Sequence, residues 1–160
     1  MSTNTRVMHC TPAAVFAVLA DGWLFPGWVV GASRMREVEA TWPAEGSRLH
    51  HSFGVWPILL DDVTSSLEWD PPNRCVIQPH GWPIGEARVT IQVRARGTDS
   101  IVQITEEAVK GPGSWIPKFL LDVPLWLRNT ETLRRLEYLA RGRENQRAAN
   151  QVPEMPTSRA

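Results

Sequence analysis

In the stretch GSRLHHSFGVWPILLDDVT, residues 46–64, a histidine and an aspartate fall at positions that alternation sends to the same side as leucine, phenylalanine and valine. Two apolar-rich runs flank GVWP, which is the pattern of a β-hairpin. Centring the turn on Trp56 sets Leu49 opposite Val63, His51 opposite Asp61 and Phe53 opposite Leu59, all on one inward face. His50 and Asp62 then fall on the solvent side. An imidazole next to a carboxylate in an apolar interior has two readings. It is a satisfied polar contact, because a buried charge without a partner is costly or neutralises itself. Alternatively His51 and Asp61 are a catalytic acid-base pair, His51 exchanging a proton with a bound molecule while Asp61 fixes its tautomer.

The remaining chemistry-bearing residues are scattered. His50 and His51 point to opposite faces of one strand and cannot share an ion, so no metal and no cofactor is expected. Cys10 and Cys75 lack any C-x-x-C or Cys/His spacing and read as small buried hydrophobes, with a single disulfide as the alternative. His80, in the HGWP turn, belongs to the surface or a cavity rim. Glu106 and Glu107 end a strand, one pointing inward and one outward, with a solvated edge as the default. Tyr138 is expected to pack, and Asn129 to bond sheet backbone or a ligand.

Charge excludes several partner classes. Lys+Arg and Asp+Glu both number 17 in 160 residues, so no net field favours nucleic acid or a polyanionic surface, and a small apolar molecule is the fitting partner. The N-terminus lacks the pattern of a signal peptide and no window approaches the roughly 20 apolar residues of a membrane span, which reads as a cytoplasmic protein without stable membrane insertion. Eight tryptophans against one tyrosine supply large apolar area for a core or a pocket lining.

The elements that must position these residues follow from periodicity. A strand over Arg6–Cys10 precedes Thr11-Pro12, a good helix opening, and AAVFAVLA continues at helical spacing until Asp21-Gly22. GWLFPGWVVG forms a short broken helix whose Trp23, Phe25 and Trp28 are too bulky to stay exposed together. Strands then fall near residues 34–40, 48–53, 58–69, 74–78, 85–96 and 101–109, separated by turn clusters. In EARVTIQVRAR, Ala87, Val89, Ile91, Val93 and Ala95 share one face and charged residues the other, so one side of the sheet meets water. Residues 113–142 return to helical period, with Phe119, Val123, Trp126, Leu133, Leu136 and Ala140 on a stripe, and Pro124 is expected to kink or divide the helix. The chain therefore reads as one domain over residues 1–143 with a disordered tail over residues 144–160.

This order of elements resembles the helix-grip fold of the START and birch-pollen-allergen superfamily, often labelled SRPBCC or polyketide cyclase/dehydrase and lipid transport. The stretches that carry the resemblance are PAAVFAVLADGW (12–23), WVVGASRM (28–35), WPAEGSRLHH (42–51), PILLDDVT (57–64) and RNTETLRRL (128–136). It implies an α+β fold in which a curved antiparallel sheet wraps a long C-terminal helix, with two short helices after the first strand. It also implies an apolar or amphipathic ligand held between sheet and helix, and no shared catalytic motif. The expected lining is Trp23, Trp28, Leu49, Phe53, Leu59, Val63, Trp82, Val89, Ile91, Val93, Trp115, Phe119, Val123, Trp126 and Asn129. A carrier or binding protein for a small hydrophobic molecule is the leading expectation. The alternative is a cyclase or aromatase that uses His51 and Asp61, and a third is an interaction module using the charged outer face of the sheet.

Overall fold

The structure, a computed structural model, describes residues 2–55, 57–81, 85–110 and 118–151, with side chains described for all of these except 55, 110 and 118–125. Strand β1 (Ser2–Met8) leads into helix α1 (Pro12–Leu19), where the Thr11 hydroxyl accepts the Ala14 N–H at 3.3 Å and Pro12 fills the first turn. A short 3-10 turn over Gly22–Leu24, capped by Asp21, runs into helix α2 (Phe25–Trp28). Six strands follow: β2 (Ala32–Val38), β3 (Arg48–Val55), β4 (Ile58–Asp70), β5 (Arg74–Pro79), β6 (Glu86–Arg96) and β7 (Asp99–Lys110). Helix α3 (Lys118–Asn150) closes the fold.

All seven strands form one antiparallel curved sheet in the order β1-β7-β6-β5-β4-β3-β2, so the first strand pairs with the last and the others form a meander. Irregularities between Ala32 and Arg34, Met35 and Glu37, and Ser66 and Glu68 interrupt the ladders, and such interruptions bend strands. Residues directly opposite share a face. Ile91 therefore lies with Cys75 and Ile104, and Val93 with Val102. Against this inner face pack Leu133, Leu136 and Ala140 of α3, together with Val15, Phe16, Val18 and Leu19 of α1 and Phe25 and Trp28 of α2. This is the expected helix-grip architecture.

Polar rivets fix the long helix to the sheet edge and to α1. Asn4 donates to the Trp126 carbonyl at 3.0 Å and to Thr130 Oγ1 at 2.9 Å. Glu137 receives Arg6 Nε at 2.6 Å and the His9 N–H at 3.2 Å. Burial opposes the ionised form of Glu137, yet these donors outweigh it and hold the carboxyl below its ordinary value of 4.5. Near the C-terminus Glu144 accepts from the Thr11 N–H and hydroxyl, and Arg143 pairs with Asp21.

Several sequence expectations are corrected. The first strand begins at Ser2 and ends at Met8, because its pairing runs along β7 from Glu106 to Ser100 although Ser2 to Thr5 carry no apolar alternation. Helix α3 continues through Pro124 without a break in its assignment and on to Asn150, seven residues into the segment expected to be a disordered tail. The contacts of Arg143 and Glu144, followed by good helix formers, account for that extension. Trp23 is 61% exposed and Tyr138 80% exposed, so neither packs as expected. Both cysteines are free and buried, and burial pushes Cys10 up to about 11 and Cys75 to about 12, which keeps both as thiols.

Replacing Leu136, fully buried where helix meets sheet, by alanine is expected to cost about 2–5 kcal/mol in urea unfolding, while Tyr138→Ala should change stability by no more than about 0.5 kcal/mol. Equal losses for the two variants would contradict the packing described.

Candidate ligand-binding site

Cover over the inner face is uneven from one end of the sheet to the other. Along β6, Val93 and Ile91 are buried while Val89 and Ala87 are half-buried. On β3, Leu49 and His51 are buried and Phe53 is half-buried; on β4 the series Ser66, Thr64, Asp62 gives way to half-buried Leu60. On β7, Val102, Ile104 and Glu106 are buried and Ala108 is exposed. The pairings Phe53–Leu60, Thr64–Pro79, Ile77–Val89 and Ala87–Ala108 put all these transitions at the same end of the sheet. The helix repeats the gradient: Ala140, Leu136, Leu133 and Asn129 are buried, and Trp126, one turn further along that stripe, is 53% exposed. Cover of the inner face thus declines toward one end of the sheet, where Phe53, Leu60, Pro79, Ala87 and Val89 are half-buried. Gly31, at φ +102°, allows the Phe53 ring to lie against its backbone, where a Cβ would come within 2.4 Å of the ring.

Polar side chains sit where the sealed part ends. Val55 pairs with Ile58, so the connection between β3 and β4 is two residues long and the register sets His51 opposite Asp62. His51 Nε2 lies 2.9 Å from Thr64 Oγ1 and 3.8 Å from Asp62 Oδ2, and its ring packs 4.9 Å from that of Phe25. Its Nδ1 makes no hydrogen bond of good geometry among the described residues. Asp62 Oδ1 accepts the Gly81 N–H at 2.9 Å, which ties the turn after β5 to this station. Burial pushes the His51 imidazole below its ordinary 6.5; Asp62 pulls the other way and Arg36 adds to the lowering. A second station lies between β7 and α3, where buried Glu106 receives Arg128 and, at 3.3 Å, Asn129 Nδ2.

The expected pair of His51 with Asp61 is therefore corrected. A turn centred on one residue would need three unpaired positions, and the two-residue connection shifts β4 by one, which turns every side chain of that strand over. Asp61 faces outward with its side chain 68% exposed, 3.4 Å from Arg36 Nε and accepting from Ser52 Oγ at 3.0 Å. Leu59 and Val63 share that outer face, so both leave the expected lining. Leu49, Ile91, Val93 and Trp28 belong to the sealed core, Phe53 and Val89 are half-buried on the inner face, and Trp126 is exposed. Asn129 bonds the Glu106 side chain rather than sheet backbone. Trp82 and Trp115 lie outside the described residues, as do the side chains of Phe119 and Val123. The reading by alternation missed Asp62, Thr64, Leu60 and the Glu106–Arg128 pair. A two-residue loop, the commonest hairpin connection, was the signal that would have found the first three.

Two grooves, of about 420 and 620 Å³, lie on the outside of this arrangement. One runs between α1 and β2 beside Trp23 and Trp42; the other follows Arg6, Glu137 and Tyr138 between β1 and α3. Among the described residues no group of three or more His, Cys, Asp or Glu is arranged to hold a metal ion, and no helix is long and apolar enough to cross a membrane.

No protein-family model and no curated protein matches the chain. Solved structures do match in fold. A protein from Nitrosomonas europaea superposes with a TM-score of 0.69 at 15% identity, covering 89% of this chain and 95% of its own. One from Chromobacterium violaceum gives 0.63 at 17% identity, covering 86% and 94%. Ara h 8.0201, of the birch-pollen-allergen-like type, gives 0.68 at 12% identity, covering 88% and 96%.

The depressed His51 has a signed consequence for stability. The unfolded imidazole takes up a proton near pH 6.5 while the folded one resists it, so its contribution is complete above that value and is lost as pH falls below it. Wild type is expected to exceed His51→Gln by about 1–3 kcal/mol at pH 7.5, for the lost Thr64 contact, and that lead should shrink at pH 5.5. Thermal melts of both proteins at the two pH values check this, since the other titrations largely cancel in the difference; a lead that widens on acidification would reverse the sign.

Proposed function

We propose that this chain is a binding or carrier protein of the START and birch-pollen-allergen superfamily, holding one small, largely apolar molecule between the inner sheet face and the first turns of α3. The observation that carries this reading is the shared gradient of burial: four strands and the helix lose their cover at one end, where Phe53, Leu60 and Val89 remain half-buried. Apolar surface left in that state gains roughly 25 cal/mol for each Å² that a guest removes from water, before the costs of association. The fold shared with Ara h 8.0201 supports the same reading.

The buried thiols are raised rather than activated, and the carboxylate that does face His51, Asp62, stays 3.8 Å from its Nε2, beyond hydrogen-bond reach, so the observations favour sequestration over proton-transfer chemistry. Retention of the ligand then depends on burial and shape.

N-phenyl-1-naphthylamine, a neutral probe that fluoresces in apolar surroundings, is expected to bind the protein at one site. Filling the half-buried end of the inner face with Ala87→Trp should weaken the probe at least about tenfold, whereas Arg88→Trp, on the outer face of the same strand, should leave it within about twofold. Equal effects of the two variants, or no probe binding to wild type, would sink this reading.

A further inference from the structure

We infer that the ligand is neutral and carries a hydroxyl group, and that this hydroxyl is received by the Asp62 carboxylate, backed by His51 and Thr64, while the apolar body lies against Phe53, Leu60 and Val89. The inference rests on the ligand-binding reading and adds the chemistry of the ligand's polar end.

The two stations differ in what they have left to offer. Glu106 has its charge answered by Arg128 and a further donor in Asn129. Asp62 has no such cation: Arg36 reaches its main-chain carbonyl, at 3.3 Å, and puts its Nε beside Asp61 instead. One carboxylate oxygen, Oδ1, is taken by the Gly81 N–H. The other, Oδ2, has His51 Nε2 at 3.8 Å, which is beyond hydrogen-bond reach, and no hydrogen bond among the described residues.

Capacity is thus left for a donor. Thr64 is sealed completely, but Asp62 keeps 7% of its surface and is next in line to half-buried Leu60 across from Phe53, which places it at the step from buried to half-buried inner face. His51, whose charged form is disfavoured there, brings no positive charge to attract an anion. A hydroxyl group can donate to Oδ2 and accept from nothing charged, which suits a low-dielectric site. A carboxylate or phosphate head would bring a second negative charge beside a buried one without a counter-ion, a like-charge contact that burial makes severe. The station therefore discriminates against fatty acids and phospholipid heads and in favour of alcohols and phenols.

The test uses three twelve-carbon probes that differ only at the head: 1-dodecanol, its methyl ether 1-methoxydodecane, and dodecanoate, each displacing N-phenyl-1-naphthylamine at pH 8. Dodecanol is expected to bind at least about tenfold more tightly than dodecanoate and more tightly than the ether, which accepts but cannot donate. In Asp62→Asn, which keeps an oxygen for the Gly81 N–H, the alcohol-to-carboxylate ratio should fall to about threefold or less. Dodecanoate binding as well as dodecanol, or a ratio unchanged in Asp62→Asn, overturns the assignment while the binding reading survives. Failure of N-phenyl-1-naphthylamine itself to bind removes both. The wild-type ranking decides the question even where the variant does not fold.

Discussion

One helix has to cover one face of a seven-stranded sheet, and the rest of the molecule follows from that mismatch. Six interstrand spacings of about 4.8 Å make a flat sheet roughly 29 Å wide, while a helix with its side chains is only about 10–12 Å across. The sheet must curl around α3 to bury its apolar side, and the irregularities in β2 and β4 are where the ladders give way to that curvature. At one end α1 and α2 complete the cover, with Val15, Phe16, Val18, Phe25 and Trp28 packed beside Leu133 and Leu136. No described element does the same at the other end, and there the inner face is left half-buried. This uneven cover follows from which end the two short helices occupy, and the polar rivets from Asn4 and Arg6 hold α3 against the edge strand β1.

Much of this was legible in the sequence. Alternation in EARVTIQVRAR fixed both the strand and its inner face, since Ile91 and Val93 are the buried residues and Arg88 and Arg94 the exposed ones. The Thr11-Pro12 opening predicted the first helix correctly because capping is a local matter of one hydroxyl and one N–H. The antiparallel meander and the long terminal helix likewise follow from period and turn composition.

The candidate site was less legible, for a reason of the same kind as the success. Strand parity has a period of two, so an error of one residue in a turn is harmless to the fold and reverses the chemistry. DD at 61–62 offers the same residue type at both parities, and composition cannot distinguish them. The structure resolves the ambiguity through the hairpin register, and Asp62 instead of Asp61 meets His51. Glu106 and Glu107 pose the same problem at the end of β7, where pairing with Val89 sends Glu106 inward and long-range contact with Arg128, 22 residues away, answers its charge. Such pairings depend on where α3 lands, which no local window contains.

A carboxylate on the inward face of a sheet is a cost that hydrophobic burial does not offset unless it is met by donors. Glu106 is met within the fold and acts as a clasp between β7 and α3. Asp62 is met on one oxygen only, and it stands at the step from sealed to half-open surface rather than in the packed end beside Leu49 and Ile91. If the residue served packing alone, an apolar side chain of like volume would do as well, and the adjoining His51 would not be needed with a ring depressed out of its charged form. A buried carboxylate with one oxygen unanswered, beside an imidazole that bonds the Thr64 hydroxyl, is the feature of the inner face that packing alone leaves unexplained.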